Sequence, residues 1–595
     1  MMCLQNISKI KSPSKVESNK KDNNTIGSFF STLYNTKNTS LNKKDLAKFL
    51  EECRKQGVPE DFNKGFGSNL NGADFSQLYL KGSIFSGVSL IGANFSNTDL
   101  SDVSFINTDL RGANFSNANL SNVDIKDTDL SFAKFTSTRL VDVAFNKSDA
   151  CYAEFRGSDL RRVSMNDVVG IHTDFSNAKM TLSDLSNSDI SYANFNNSEI
   201  YNTAIQKSNL DYTNFFSVYA QRLNIQFSSL KNAIIYGAEI KESDFTGSNL
   251  NNAYLDSSTI IDSNFSRVDL SNAKISYVRS NYSIFCEAIM NNAQIKYSYV
   301  SNVNLKDTAL FGADLSFSEL NGVNAYNADI RKGNFYHTKI ANSDMNNTFF
   351  DHALFDFTKL ENTDLSLSSM HDVKIKNSQI YNSTLSKHGI DSSSIENSIF
   401  FNLMANNAYW SDLKVTNSNF IESDFKYSSL HNNILKKTSF FLSNFDNSTI
   451  SNVSFLSSSI YKSSVINTNL IGCQFDNSIF IENTAQNKLG ELKDAITSIQ
   501  ELQDRVSQAR KFDVNYSYFN FDNMDLNNVD FSNSILNGAK FTNSNLDKAN
   551  FEKTDLRHAI FSNSSLIGAN FLGANKQYIS FFKPDTQLKK KSNHD

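Results

Sequence analysis

The sequence is poor in proline, tryptophan and cysteine: its 595 residues include three Pro, one Trp and five Cys. The three prolines are Pro13, Pro59 and Pro584, so residues 60–583 contain no proline. Nothing in that stretch therefore removes a backbone donor from a hydrogen-bonded ladder. The cysteines are scattered without a C-x-x-C pair: Cys3, Cys53, Cys151, Cys286 and Cys473. This spacing excludes the paired-cysteine zinc and redox motifs and predicts free thiols in a reducing compartment.

An excess of charge of one sign and long apolar runs are also missing. The net charge is −5, from 57 basic and 62 acidic side chains, which predicts no strong attraction to nucleic acid. No run of 18 apolar residues exists, so no membrane span is predicted. The first 21 residues contain no apolar core of the kind that a secretory signal peptide needs.

What the sequence does contain is a strict period of five residues. From Leu70 to Phe480, nearly every residue number divisible by five is a large apolar residue, which makes 83 successive units. Six of these positions carry something small: Ala150, Gly170, Ala220, Ser280, Ala325 and Ala405. A period of five fits neither an α-helix nor an ordinary strand. A fixed repeat over most of a chain indicates a solenoid.

Each unit has the same internal pattern around its large residue, which we call position i. Position i−2 is small and position i−1 is often Asp or Asn, as in Ala73-Asp74-Phe75. Positions i+1 and i+2 are mostly Ser, Asn and Lys, which predicts a surface without one clear apolar patch. The pattern A-(D/N)-(L/F)-x-x resembles the pentapeptide-repeat family, and the resemblance covers residues 68–575 apart from one insertion.

The resemblance implies an all-β solenoid, a right-handed quadrilateral β-helix with four units per coil. Residues twenty apart then stack in rows, and the sequence supports such rows independently. Two rows are aromatic, and one of them begins with Phe75, Phe95, Phe115 and Phe135. Two rows are aliphatic, one of them containing Leu80, Leu100, Leu120 and Leu140. We expect these residues to form the structural core.

The pattern divides the chain into six segments. We predict a disordered leader at 1–24, a helical N-terminal cap at 25–67, a main β-helix of about 21 coils at 68–483, a helical insertion at 484–513, a second β-helix of about three coils at 514–575, and a C-terminal cap with a basic tail at 576–595. In the N-terminal cap, a face of a predicted helix is apolar and should cover the first coil: Leu46, Phe49, Leu50 and Cys53.

The insertion at 484–513 is predicted to be an amphipathic helix of about 22 residues. Its apolar positions recur at spacings of three and four: Leu489, Leu492, Ile496, Ile499, Leu502 and Val506. One interpretation is a helix that packs along a solenoid or links two of them. The other is a helix that binds a partner or a second copy of the chain. This break in the repeat is where we look first for function.

The sequence contains no recognisable catalytic constellation. Its eight histidines lie far apart, mostly at outward positions, and no pair has the spacing of metal ligands. The many Asp at position i−1 recur with the repeat and are no sign of acid–base chemistry. We therefore predict no catalytic residue, no metal and no cofactor. The single tryptophan, Trp410, stands at position i of its unit and is predicted to pack in the core.

Three functions remain open. The first is a secreted effector that binds a protein of the host, because the order of leader, helices and repeats resembles bacterial type III secreted members of the family. Their ubiquitin-ligase domain, where present, follows the repeats, and only about 24 residues follow Phe571 here. Such a protein lies in the bacterial cytoplasm or enters the host cell without a Sec signal peptide.

The second function is a structural or adhesive scaffold without a single target. The third is a DNA mimic that protects a type II topoisomerase, as in another branch of the family. A net charge of −5 is far below the charge density of a phosphate backbone, which disfavours this third interpretation. We predict a protein partner and no nucleic-acid partner.

Overall fold

The computed structural model describes residues 43–57, 60–387, 389–481, 483–484, 492, 495–498, 500–502, 504 and 514–581. The chain divides into two compact units, unit 1 up to Ala309 and unit 2 from Leu310 onwards. The predicted leader at 1–24 and residues 582–595 of the predicted tail lie outside the described residues.

Unit 1 begins with two helices, α1 (Lys43–Gln56) and α2 (Phe62–Phe66). The apolar face predicted for α1 is buried, as expected. Asp61 caps α2, because its side chain accepts a hydrogen bond from the Lys64 N–H. The ring of Phe62 stacks on Phe85 of the repeat at 4.2 Å. The helices therefore cover apolar surface that the first coil would otherwise expose.

The repeats of unit 1 form short parallel strands that are stacked twenty residues apart. Nine strands lie in one row: β1 (Arg139–Val141), β2 (Asp159–Arg161), β3 (Lys179–Thr181), β4 (Glu199–Tyr201), β5 (Tyr219–Gln221), β6 (Glu239–Lys241), β7 (Thr259–Ile261), β8 (Arg279–Asn281) and β9 (Tyr299–Ser301). The other sides are joined by single parallel bridges with the same offset, from Asn69↔Ser89 to Ile289↔Ala309. Four units therefore make one coil, which confirms the predicted β-solenoid.

Unit 2 continues the same offset in three rows of parallel strands. The first contains β10 (Glu319–Asn321), β11 (Lys339–Ala341), β13 (Lys359–Glu361), β16 (Gln379–Tyr381), β19 (Ile399–Phe401), β22 (Asn419–Ile421), β25 (Ser439–Phe441), β28 (Ser459–Tyr461) and β31 (Ile479–Ile481). The second contains β12 (Leu354–Asp356), β15 (Lys374–Lys376), β18 (Ser394–Glu396), β21 (Lys414–Thr416), β24 (Ile434–Lys436), β27 (Ser454–Leu456) and β30 (Gln474–Asp476). The third contains β14 (Met370–His371), β17 (Ile390–Asp391), β20 (Tyr409–Ser411), β23 (Ser429–His431), β26 (Thr449–Ser451) and β29 (Asn469–Ile471).

The predicted core rows are confirmed. Phe75, Phe95, Phe115 and Phe135 are fully buried, and their rings stack at 4.7–5.0 Å with nearly parallel planes. Leu80, Leu100, Leu120 and Leu140 are also fully buried. In unit 2, Trp410 is buried with its ring edge-on to Phe420 and Phe425, so its predicted core position is correct.

Hydrogen bonds explain the polar positions of each unit. At position i−1, the Asp74 carboxylate accepts from the Ser76 N–H at 3.0 Å and from the Asn94 amide of the next coil at 3.1 Å. At position i−2, the Thr98 hydroxyl donates to the Phe75 carbonyl of the preceding coil at 2.9 Å. Position i+2 has a positive φ in unit after unit, which suits Asn and Gly.

The second solenoid, residues 514–581, packs against the flank of the main repeat within unit 2. Its bridges keep the offset of twenty, from Asn515↔Ile535 to Ile560↔Ser580. The buried Asn515 amide donates to the Asn419 side chain at 2.7 Å and to the Lys437 carbonyl at 2.8 Å. The Phe519 ring stacks on Tyr461 at 4.4 Å. These contacts attach the second solenoid sideways to the first.

The predicted helical insertion needs one correction. Ile496 pairs with β31 as a parallel bridge: its N–H donates to the Ser478 carbonyl and its carbonyl accepts from the Phe480 N–H, both at 2.8 Å. A helical conformation is therefore wrong at this residue, because the last strand offers backbone groups that need partners. Within 484–513, the described residues with helical conformation are Gln500–Leu502 and Asp504.

Candidate functional site: an exposed aromatic strip

The most unusual surface of unit 1 is a row of rings at position i+2 of five successive coils. We call it the aromatic strip, and it consists of Phe132, Tyr152, His172, Tyr192 and Tyr212. The ring centroids are 4.8–5.1 Å apart at each of the four steps. Its Phe and Tyr side chains are 44–59% exposed. A continuous exposed apolar row of this kind is typical of an interaction site.

The backbone at the strip is unfavourable for aromatic residues. All five strip residues have φ between 58° and 65°, a left-handed conformation that costs an ordinary L-residue about 1–2 kcal/mol. The same row carries glycine before the strip (Gly72, Gly92, Gly112) and asparagine after it (Asn232, Asn252, Asn272, Asn292). Both residue types tolerate this conformation. The backbone conformation therefore opposes rings in this row, which makes the strip a candidate functional site.

The stacking decides which chemical groups the strip can offer. Because each ring lies against its neighbours in the coils before and after it, the ring faces inside the row are covered. The ring edges and the tyrosine hydroxyls stay open to solvent. A sugar or nucleobase needs an open ring face, so it cannot stack within the row. The strip instead suits a protein surface, where tyrosine commonly supplies binding energy.

The strip contradicts the expectation of a surface without one clear apolar patch. That expectation treated all i+1 and i+2 residues together, and in that mixture Ser, Asn and Lys dominate. The missed signal was in the sequence: reading every twentieth residue from Gly72 to Asn292 separates three glycines, the five strip residues and four asparagines. The physical reason is that a side chain on a solenoid has its nearest neighbours one coil away.

Part of the apolar face predicted for the helix at 484–513, which is the candidate partner-binding site, lies in the interior. Leu492, Ile496 and Leu502 are buried, and Ile496 and Leu502 belong to the core that the second solenoid forms with β28 and β31. Leu489, Ile499 and Val506 lie outside the described residues. Burial of the three described side chains favours the packing interpretation over an open binding face. A role of this segment in binding a partner stays a prediction.

The four described cysteines differ in their oxidation state. Cys53, Cys286 and Cys473 are free thiols, as predicted, whereas Cys151 is disulfide-bonded, so the prediction is wrong for that residue. Cys151 stands at position i+1 and is 2% exposed, so its disulfide is shielded from solvent. Burial raises the pKa of the Cys53 thiol to about 11, which keeps it protonated and unreactive.

Within the described part of the chain, no group of three or more His, Cys, Asp or Glu could hold a metal ion. Over the same residues, no helix has the length and apolar character needed to cross a bilayer.

Comparison with known families agrees with the repeat geometry. The model for the pentapeptide repeat region matches residues 67–135 and 99–169. The model for pentapeptide repeats (8 copies) matches residues 171–204, 238–276, 309–347, 514–543, 525–563 and 544–575. The chain is a pentapeptide-repeat protein. These matches include both the main repeat and the second solenoid.

Several solved structures that are similar to this chain are pentapeptide-repeat proteins. HetL from the cyanobacterium Nostoc sp. strain PCC 7120, involved in heterocyst differentiation regulation, is 18% identical, with 40% of this chain and 98% of HetL covered and a TM-score of 0.18. QnrB1, a plasmid-mediated fluoroquinolone resistance protein, is 10% identical over 35% of this chain and 94% of QnrB1, with a TM-score of 0.23. A protein from the Arabidopsis thaliana thylakoid lumen is 28% identical over 17% of this chain and 66% of its own, with a TM-score of 0.12. No curated protein sequence matches the chain.

Proposed function

We propose that this protein is a non-enzymatic scaffold that binds a protein partner through the aromatic strip. The observation that carries the proposal is the replacement of Gly and Asn by five stacked, exposed rings at positions where the backbone disfavours rings. The scaffold holds these rings at a fixed spacing before any partner arrives. Such preorganisation lowers the entropic cost of binding.

The strip also defines the kind of partner surface. It offers a straight row of apolar ring edges with tyrosine hydroxyls at Tyr152, Tyr192 and Tyr212. A complementary protein surface is an apolar groove with hydrogen-bond acceptors along its rim. Exposed tyrosines bury much apolar area while they lose little conformational entropy.

Site-specific photo-crosslinking tests the proposal. A benzophenone amino acid replaces Tyr192 within the strip, and the full chain is irradiated in lysate of a eukaryotic host cell and, separately, in lysate of a bacterium. We expect a discrete crosslinked protein that is lost when Tyr152 and Tyr212 are changed to Asn. The matched control carries the benzophenone at Tyr282, which also stands at position i+2 of unit 1, with φ 52°, and is 59% exposed against 48% for Tyr192.

Two results would contradict a role of the strip. One is the same crosslinked protein from position 282 as from position 192. The other is a crosslinked product that is unaffected by Tyr152→Asn and Tyr212→Asn. Circular dichroism of each variant shows whether the solenoid is intact.

We further propose that the scaffold is a bacterial effector that reaches a host cell without a Sec signal peptide, or acts in the bacterial cytoplasm. The support is the order of segments alone, with a Lys- and Ser-rich stretch at 1–24 before the helices and repeats. Deletion of residues 1–40 should abolish export by a type III secretion machine. Unchanged export of the truncated chain, or no export of the full chain, argues against the effector role.

A further inference from the structure

The aromatic strip is too small to hold a protein partner by itself. Its Phe and Tyr side chains are 44–59% exposed. Since a fully buried aromatic side chain buries about 150–250 Å², five half-exposed ones offer roughly 500 Å², whereas a stable interface buries about 800 Å² on each partner. A partner that binds the strip therefore covers further surface beside it.

That further surface begins in the last coil of the strip. Phe216 follows Tyr212 in the same coil, and its ring stacks on Tyr236 of the next coil at 5.6 Å. On the same side of the solenoid, Ile234 and Tyr254 are bridge partners in successive coils. These residues occupy positions i−1 and i+1, which face outward because position i between them faces the core. Phe216, Ile234, Tyr236 and Tyr254 are 41–44% exposed.

Two more exposed rings follow in the next two coils. Tyr277 and Tyr297 stand at position i+2, are 59% and 46% exposed, and stack at 5.0 Å. The strip and six further residues make up what we call the apolar band: Phe216, Ile234, Tyr236, Tyr254, Tyr277 and Tyr297. The band extends about 40 Å along unit 1, at about 4.8 Å per coil. It offers roughly 1,000 Å², which is enough for a stable interface.

The spacing of the rings favours an α-helix as the occupant. Successive strip rings are 4.8–5.1 Å apart, close to the helix pitch of about 5.4 Å. One apolar side chain per helical turn can therefore contact one ring after another, with a mismatch of about 2 Å over four steps. An extended strand repeats the same face only every ~6.7 Å, so it is out of step after two rings. A helix as long as the band has about 26 residues.

Charge beside the strip selects a basic helix. In the five coils of the strip, the side of the solenoid that precedes it carries six aspartates and two lysines: Asp127, Asp129, Asp149, Asp167, Asp189, Asp211, Lys147 and Lys207. Arg111 approaches Asp129 at 3.7 Å, and the other five aspartates form no ion pair with any residue that the structure describes. The side that follows the strip is balanced: Lys134, Glu154, Arg156 and Asp174. Lysine or arginine side chains of a partner are therefore attracted to the preceding side.

The far end of the band has a different charge. The Lys274 ammonium lies 4.7 Å from the centroid of the Tyr254 ring. A basic residue of the partner gains nothing beside this lysine. The basic residues of the helix therefore belong in the half that contacts the strip.

We infer that the apolar band binds an amphipathic α-helix of the partner, about 26 residues long and basic over the half that contacts the strip. A second copy of the chain does not meet this requirement, because the two sides that flank its own strip are acidic and neutral. The inference rests on the proposed role of the strip and adds the chemical nature of the partner.

Fluorescence anisotropy of a labelled synthetic helix, titrated with the full chain, tests the inference. The probe has about 26 residues, with leucine on one face. Its other face carries lysine in one half and glutamine in the other half. The comparison probe has glutamate in place of every lysine. We expect saturable binding of the lysine probe and at least tenfold weaker binding of the glutamate probe, since like charges oppose each other beside the strip.

Two double variants test the two parts of the band. Tyr152→Asn with Tyr212→Asn, and Phe216→Ser with Tyr236→Ser, should each weaken binding of the lysine probe at least tenfold, because apolar contact area is lost. The matched control is Leu182→Asn. Leu182 is 57% exposed at position i+2 of unit 1 with φ 56°, outside the band, so binding should not change.

A further variant tests the charge beside the strip. Asp211→Asn keeps an oxygen that accepts from the Ser229 hydroxyl and the Lys231 N–H, so it changes the charge and not the hydrogen bonds. It should weaken binding of the lysine probe about threefold, the effect of one exposed ion pair. Asp262→Asn is the matched control, since Asp262 is exposed in unit 1 outside the band, and it should leave binding unchanged.

Four results would overturn the inference. They are no saturable binding of the lysine probe, equally tight binding of the glutamate probe, band variants that bind as Leu182→Asn does, and equal effects of Asp211→Asn and Asp262→Asn. A dimer of the full chain that Tyr152→Asn with Tyr212→Asn dissociates, seen by analytical ultracentrifugation, would assign the band to a second copy and overturn it as well.

Photo-crosslinking at position 192 keeps this inference apart from the proposed function. A crosslinked partner protein, together with no binding of the lysine probe, removes the basic helix and leaves the strip as a binding site. The absence of any crosslinked protein counts against the strip itself.

Discussion

Unit 1 carries two rows of stacked rings along the same coils, and they differ in what surrounds them. In the core row, Phe195 lies between Phe175 and Phe215 at 4.9 and 4.8 Å and is fully buried. In the aromatic strip, Tyr192 lies between His172 and Tyr212 at 4.9 Å each and is 48% exposed. The spacing is the same because the coil height sets it for every side chain.

The comparison shows that the repeat fixes where a side chain stands, whereas its environment decides what it contributes. A core ring gains burial, packing and stacking together. A strip ring gains stacking alone, on a backbone conformation that opposes it. In unit 2 the same i+2 position presents a row of asparagine amides, Asn377, Asn397 and Asn417, instead of rings. One backbone position can thus carry either an apolar or a polar row.

The largest expected effect is that of Phe195→Ala in the core row. Removing a fully buried ring leaves a cavity that the rigid coils cannot close, so we expect a loss of about 3–5 kcal/mol in the free energy of unfolding. Chemical denaturation of the full chain measures it. A loss below 1 kcal/mol would show that the core row is no more important for stability than the strip.

A much smaller effect on stability is expected for Tyr192→Asn in the same coil. The change loses two stacking contacts of about 0.5–1.5 kcal/mol each and relieves a left-handed conformation that costs about 1–2 kcal/mol. The free energy of unfolding should therefore change by less than about 1 kcal/mol. A destabilisation as large as that of Phe195→Ala would mean that the strip is a structural element.

The smallest effect is expected at Asp149, three residues before Tyr152 of the strip. Burial, and next the carboxylate of Asp129 one coil away, raise the pKa of Asp149 in the folded chain. A carboxyl group with a raised folded-state pKa gives stability at low pH that is lost as the pH rises through that pKa. Asp149→Asn keeps an oxygen to accept the Cys151 N–H, so it should raise the unfolding temperature slightly at pH 7.

The same variant should show no gain at pH 3, where Asp149 is protonated in both states. Thermal unfolding of the wild type and Asp149→Asn at both pH values makes the comparison. A lower unfolding temperature for Asp149→Asn at pH 7 would show that the ionised carboxylate is favourable at this position. Asp174→Asn is a contrasting control, because hydrogen bonds to Ser176 and Arg156 outweigh burial and lower the pKa of Asp174.

Much of the fold could be predicted because the repeat relates local sequence directly to structure. The core rows followed from residues twenty apart, and the polar positions have local reasons, such as the Asp74 bond to the Ser76 N–H. The aromatic strip was equally open to prediction, once each row of every twentieth residue was examined by itself. The apolar spacings of three and four predicted a helix through Ile496, and this was wrong there. Such spacings do not reveal that an unpaired strand edge lies nearby.

The sequence by itself determined the solenoid, its core and the chemistry of each row, because a side chain in a repeat meets the same position of the next coil. Only the tertiary structure decided where the second solenoid lies and which rows face each other. The Asn515 contacts with Asn419 and Lys437 connect residues 96 and 78 positions apart. No period in the sequence specifies such a contact, and the cavity of about 550 Å³ between the main repeat and the second solenoid depends on it.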